Sequence, residues 1–248
     1  MTSALITEYI KFTRSLVGRV ATVLLAAGIA VLSGSMILAA KGSDPRMIAK
    51  LGAAAEPSWS GLLGGAAQIT GAGGLLGFGV VLAWMFGREF VEGTITGLFA
   101  LPVSRATISA AKLGVYLAWA TLTSAGIVCA VLGVGLALGF GVPDADVAAG
   151  LGREFALGVL SAVVATPVAW IATVTRSLLM GVVGAICLVV AAQVSVIGGV
   201  GAWSGLATPA LWALSGDVGA AHLVTVLPVV VAAVSLTMWS WQRLELDR

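Results

Sequence analysis

The chain has 248 residues, 59% of them hydrophobic and only 10% charged, with a formal net charge of +2 and a mean hydropathy of +1.08. A soluble domain carries roughly 25% charged residues, so a water-soluble fold is excluded and the bilayer is the solvent against which the sequence is read. The basic residues sit at the ends of apolar runs and form no stripe, which argues against nucleic acid as a partner.

The first element, residues 2–19 ("TSALITEYIKFTRSLVGR"), places Leu5, Ile6, Tyr9, Phe12 and Leu16 along one helical face, with Glu8, Lys11 and Arg14 elsewhere. It reads as a helix lying in the cytoplasmic membrane interface. The apolar run after Arg19 superficially matches the core of a signal peptide. It is as long as a full span and lacks a clear A-x-A cleavage site before Lys41, so it is read as a retained first helix.

Dividing the chain at charges, prolines and glycine-rich breaks gives apolar stretches near 20–40, 63–86, 113–140, 155–175, 178–197 and 219–241. Each approaches the roughly 20 residues a helix needs to cross hydrocarbon. The runs are continuously apolar, without the alternation of a membrane barrel, so the expected fold is an all-α polytopic protein with six spans in one domain. The weakest boundary is at Arg176, between the fourth and fifth spans. With both termini inside, the cytoplasm receives Lys11, Arg14, Arg19, Arg88, Arg105, Lys112, Arg176, Arg243 and Arg248, and the outside only Lys41, Arg46, Lys50 and Arg153. This asymmetry sets the orientation, leaving the 41–62 loop and the acidic residues Asp144, Asp146, Glu154 and Asp217 outside. Residues 198–218, with Trp203, Pro209 and Trp212, are too apolar for a loop in water and read as an outer re-entrant or interfacial hairpin.

The inventory for chemistry is poor. Cys129 and Cys187 lie in apolar runs with no ligand at metal spacing, and His222 opens the last span as a solvated helix-start residue. No H-E-x-x-H, G-x-S-x-G or phosphate-binding loop occurs, so catalysis and nucleotide hydrolysis by this chain are not expected. Span centres nearly lack ionisable residues, which argues against a buried ion relay. Gln68, Thr70, Thr123, Ser124, Gln193 and Ser195 are polar within spans and are the candidates for lining a path, with local bonding to helix carbonyls as the alternative for each.

The segment 87–112, "GREFVEGTITGLFALPVSRATISAAK", gathers Arg88, Glu89, Glu92, Arg105 and Lys112 between the second and third spans. It forms an amphipathic elbow: a short internal helix, a stop at Pro102 and a new helix after Ser104. A charged turn anchoring two spans is one reading, though such an anchor needs no carboxylates. The order "EGT" at Glu92, Gly93 and Thr94, "LFALPVSR" from Leu98 to Arg105, and then Lys112 resembles the ABC transporter permeases of type 2, or ABC-2 membrane proteins.

That resemblance implies a permease subunit of an ATP-driven exporter in a bacterial inner membrane, with the elbow as a coupling helix docking on a separate ATP-binding subunit. Arg88, Glu89, Glu92, Gly93, Thr94, Leu98, Pro102 and Arg105 would carry the coupling, while Arg105 and Lys112 hold the elbow against lipid phosphates. It also implies two permease chains with two ATPase chains, with ATP and Mg bound only in the partner, and the few charges in the spans fit an apolar or amphipathic cargo such as a drug, peptide antibiotic or lipid. The alternatives are a non-transport scaffold or regulatory subunit for an ATPase, and a stand-alone secondary carrier. The orientation is checked by labelling intact cells: Ser43→Cys is expected to react with an impermeant thiol reagent and Ser104→Cys to stay unlabelled, and the reverse pattern would invert the topology.

Overall fold

The computed structural model describes residues 2–40, 56–99, 103–214 and 218–244. Most of the outer loop with Lys41, Arg46 and Lys50, the Leu101–Pro102 stop, Asp217 and Arg248 lie outside the described residues. The described chain is all helical: α1 (Thr2–Thr13), α2 (Leu16–Ala40), α3 (Trp59–Val91), α4 (Ile95–Phe99), α5 (Arg105–Ala137), α6 (Ala145–Val174), α7 (Leu178–Ile197), α8 (Thr208–Leu214) and α9 (Ala220–Gln242). Among them α2, α3, α5, α6, α7 and α9 are long and apolar enough to cross a membrane. Side chains such as Val23, Leu24, Val31, Leu122, Val190 and Val231 face outward, a surface that water would not tolerate and lipid does.

Four of the six spans begin earlier than the apolar runs because hydroxyl or carboxylate caps, not hydropathy, set their starts. Ser15, Ser58, Ser104 and Asp144 accept from the backbone N–H groups of Gly18, Gly61, Thr107 and Val147, at 3.0, 3.3, 3.1 and 2.8 Å. Arg153 and Glu154, which the sequence places in an outer loop, therefore lie inside α6. α3 likewise runs through Gly87, Arg88 and Glu89 before Gly93, at φ +67°, ends it in the left-handed conformation that glycine tolerates. Two spans are internally irregular. A π-helical turn, Thr70–Gly74, interrupts α3, and α6 breaks at Ala165–Thr166 and resumes with Pro167 in its first turn. The boundary at Arg176 is a tight turn, with φ +51° at Arg176 and Ser177 capping α7 through Met180 N.

α3 and α7 pack as an antiparallel pair along a small-residue seam. A Cβ on Gly79 would lie 2.7 Å from Ala185 Cβ, one on Gly181 2.7 Å from Ala83 Cβ, and one on Gly87 2.6 Å from Leu178 Cα. The spacing of Gly79, Ala83 and Gly87 repeats every fourth residue, so one stripe of α3 lets two backbones approach. α2 packs on α5 and α3, and α5 on α6. From Ile197 to Leu214 the chain folds back in a hairpin whose helix α8 rests on α3 and α6; a Cβ on Gly71, in the π turn, would sit 2.9 Å from Ala210 Cβ. Thr208 ties the hairpin together, its hydroxyl bonding Gly205 N, Ala202 O and Thr225 Oγ1 at 3.0–3.2 Å.

α1 is rotated relative to the face expected from its sequence. Leu5, Glu8 and Phe12 turn inward, while Ile6, Tyr9 and Leu16 are exposed. Phe12 packs edge-on against Trp84 and Trp119, and Phe78 also meets Trp119. Gly87→Ala is expected to lower stability by about 1–3 kcal/mol through overpacking against the Leu178 backbone, whereas Gly28→Ala, where a Cβ meets nothing within 4 Å, should leave thermal unfolding in detergent unchanged.

Candidate functional site

The end of α3, the elbow and the start of α5 meet α1 around a buried ionic cluster. Lys112 Nζ lies 2.8 Å from Glu8 Oε2 and 2.9 Å from Glu89 Oε1; Lys11 Nζ lies 3.2 Å from Glu89 Oε1 and 3.4 Å from Glu8 Oε1. The remaining Glu89 oxygen accepts from Thr94 Oγ1 at 2.5 Å. Lys112 is 1% exposed, Glu89 2% and Glu8 5%, so their charges have left water. Burial of this depth is tolerable only where every charge is paired, and two carboxylates against two ammonium groups make a formally neutral set. The cluster rests on Trp84, Phe12 and Met85. Beside it, the Arg88 guanidinium stacks 4.6 Å over the Trp84 ring.

The cluster fixes which way the elbow faces. Ile95 and Leu98 turn inward, the latter toward Ala4, Thr7 and Ile108, and are 6% and 7% exposed. Glu92, Gly93, Thr94, Thr96 and Gly97 are exposed, and a Cβ on Gly93 or Gly97 would meet nothing within 4 Å among the described residues. Glu92 pairs with Arg88 at 3.0 Å one turn away; a surface pair of this kind is worth only about 0.3–0.5 kcal/mol, so Glu92 is readily released to another partner. Arg105 Nη1 donates to the Leu244 carbonyl, linking the start of α5 to the segment after α9. Pro102 lies outside the described residues.

Lys112 does not reach lipid phosphate, contrary to the sequence expectation, because it is engaged by two carboxylates inside the fold. Glu8 and Lys11 were not among the candidate site residues. The signal available in the sequence was an acid–base pair three apart in a short helix preceding a span that needs neither charge. The six polar span residues are not brought together in one cluster. Gln68 and Gln193 are exposed on the outer helix surfaces; Ser124 and Ser195 bond to the carbonyls of Ala120 and Ala192 at 2.8 and 2.7 Å. Thr123 is buried without a hydroxyl partner among the described residues. Thr70 is buried and donates to Glu154 Oε1 at 2.5 Å, far from the ionic cluster.

The sequence profile of the family described as "ABC-2 family transporter protein" matches residues 4–192, about three quarters of the chain, from α1 nearly to the end of α7. No curated protein matches.

Removing one member of the cluster leaves uncompensated buried charge, a loss of about 3–5 kcal/mol for a pair broken on one side. Lys112→Met is therefore expected to lower the unfolding midpoint sharply, and adding Glu8→Gln to recover part of the loss; Lys112→Met with unchanged stability would show that the cluster contributes nothing.

Proposed function

The chain belongs to the ABC-2 family of transporter proteins, whose members are non-catalytic permease subunits, and on that premise we propose that it is the membrane subunit of an exporter driven by a separate ATP-binding protein. The observation that carries the reading is the elbow, pinned from within by Glu89, Thr94 and Lys112 and open outward along Glu92, Gly93, Thr96 and Gly97. A rigid element with a small-residue outer face accepts a partner's backbone closely. Movement of that partner is then passed to α3, α5 and α1 together, since all three share the cluster. In this reading α4 is the coupling helix and Pro102 limits its exit.

The proposed assembly has two permease chains, identical or related, and two ATPase chains, with ATP and Mg held by the ATPases. Both termini and the elbow face the cytoplasm of a bacterial cell. α1 lies in the inner interface with Ile6, Tyr9 and Ile10 toward lipid, and the α8 hairpin lies at the outer end. The cargo class is apolar or amphipathic, consistent with the few charges in the spans.

The roles of the charged residues divide by burial. Glu89 and Lys112 position the elbow, whereas Glu92 is available to bond the partner. A charge-assisted bond contributes about 1.5–3 kcal/mol, so Glu92→Ala is expected to weaken ATPase association roughly ten-fold to a hundred-fold without loss of expression. Gly97→Trp adds bulk into open space and is expected to abolish copurification of the ATPase while leaving the unfolding midpoint unchanged. Normal copurification with both variants would overturn the docking face.

A further inference from the structure

At the end of α3 opposite the ionic cluster, a second charged site lies within the helices. Thr70 stands at the start of the π turn, and its hydroxyl is the one hydrogen-bond donor to Glu154 among the described residues. The carboxylate is 3% exposed and its other oxygen, Oε2, has no hydrogen-bond partner among the described residues. Thr70 and Glu89 are 19 residues apart along α3, about 28 Å at helical rise, so Lys112 and Lys11 cannot supply the missing charge. Arg153 precedes Glu154 but forms no ion pair with it. A buried carboxylate with one oxygen unengaged is costly to the fold, and Glu154 occupies the wall of an opening.

That opening is a cleft of about 320 Å³ between α3, α6 and the hairpin helix α8. Asp146, Arg153 and Ser60 supply its polar groups, Leu63, Ala67 and Leu214 apolar wall, and Glu154 adds a second carboxylate. Two carboxylates against one guanidinium make the cleft net negative, which disfavours an anion. A metal ion would need more protein ligands than the two carboxylates of this cleft supply, and no group of three or more His, Cys, Asp or Glu that could hold one exists among the described residues. What remains is a cation that needs one counter-ion and brings its own apolar surface. Cleft volumes of this size suit a small organic group.

We propose that this cleft binds an ammonium group carried on an apolar body, with Glu154 Oε2 as its counter-ion, Thr70 holding the carboxylate in place and α8 covering the apolar part. Resting on the permease reading, the site assigns the cargo to the cationic amphiphiles and places its recognition near the hairpin end of the spans. The π turn has a role in this arrangement: the widened turn carries Thr70 toward α6 and offers Gly71 to Ala210, so counter-ion and cover are set by one irregularity.

The test is saturable retention of radiolabelled octylammonium by the full chain in phosphatidylcholine nanodiscs, corrected for empty discs, without nucleotide or ATPase. Native protein is expected to bind it at least tenfold more tightly than octanol. Glu154→Gln should lose that preference and Glu154→Asp should keep most of it. Gly64 lines the cleft and a Cβ there meets nothing within 4 Å, so Gly64→Leu should block binding with the carboxylate intact. Equal retention by native, Glu154→Gln and Gly64→Leu proteins would overturn the site, as would equal retention of amine and alcohol. Discs containing ethanolamine headgroups identify the natural source: displacement of the probe marks a lipid headgroup, its absence a free amphiphile, and either upholds the site. Since no partner is present, failure here leaves the ATPase-docking reading untouched, and failure of ATPase copurification leaves this binding result standing.

Discussion

An ammonium group with 1% exposure, held between two carboxylates at 2.8 and 2.9 Å, is the contact on which the rest of the arrangement depends. Lys112 could not remain charged in this position without Glu8 and Glu89, and neither carboxylate could be buried without a cation. Because the three residues come from α5, α1 and α3, satisfying the charges requires the three helices to meet at one depth and in one rotation. The apolar contacts of Phe12 with Trp84 and Trp119 would allow α1 to slide along the spans; the ion pairs do not. Hydrophobic burial supplies non-directional attraction, and the charges supply register.

The consequence reaches the elbow through Thr94, whose hydroxyl takes the last oxygen of Glu89. With Gly93 ending α3 and Thr94 tied back to it, the chain has little freedom before Ile95 and Leu98 turn inward. The outer face of α4 is left with small and exchangeable groups. The inner side of the segment is held by the cluster and its outer side is open, the two properties that the proposed docking role requires. At the other end of α3 the same helix is irregular instead of pinned, with a π turn, a carboxylate one bond short and a hairpin lying over them.

Much of this was legible in the sequence, and the failures share one cause. The six apolar helices follow from apolar length, because that property is local. The helix bounds and the fate of individual charges do not. Treating charges as the limits of the spans put Lys112 at lipid phosphates and Arg153 and Glu154 in an outer loop, whereas pairing lets Glu89 and Lys112 stay helical and buried, and Thr70 meets Glu154 across 84 residues of sequence. The division of the apolar side chains of α1 between a buried and an exposed side has the same origin. Glu8 belongs to the buried face only when Lys112 is opposite it, a fact that no periodicity within residues 2–19 contains. The packing glycines show the same limit: Gly79 and Gly87 form the α3–α7 seam, while Gly139 ends α5 at φ +81°.

The central claim is that the ionic cluster joins α1 and the elbow into one rigid unit. It is tested most directly by electron paramagnetic resonance on spin labels at Tyr9→Cys and Thr96→Cys, both exposed positions, with Cys129 and Cys187 replaced. The label-to-label distance should be single and narrow, unchanged between nucleotide-free and ATP-bound complexes, and should broaden when Lys112 is replaced by Met. A broad distribution in the otherwise native protein, or one indifferent to Lys112, would contradict the account.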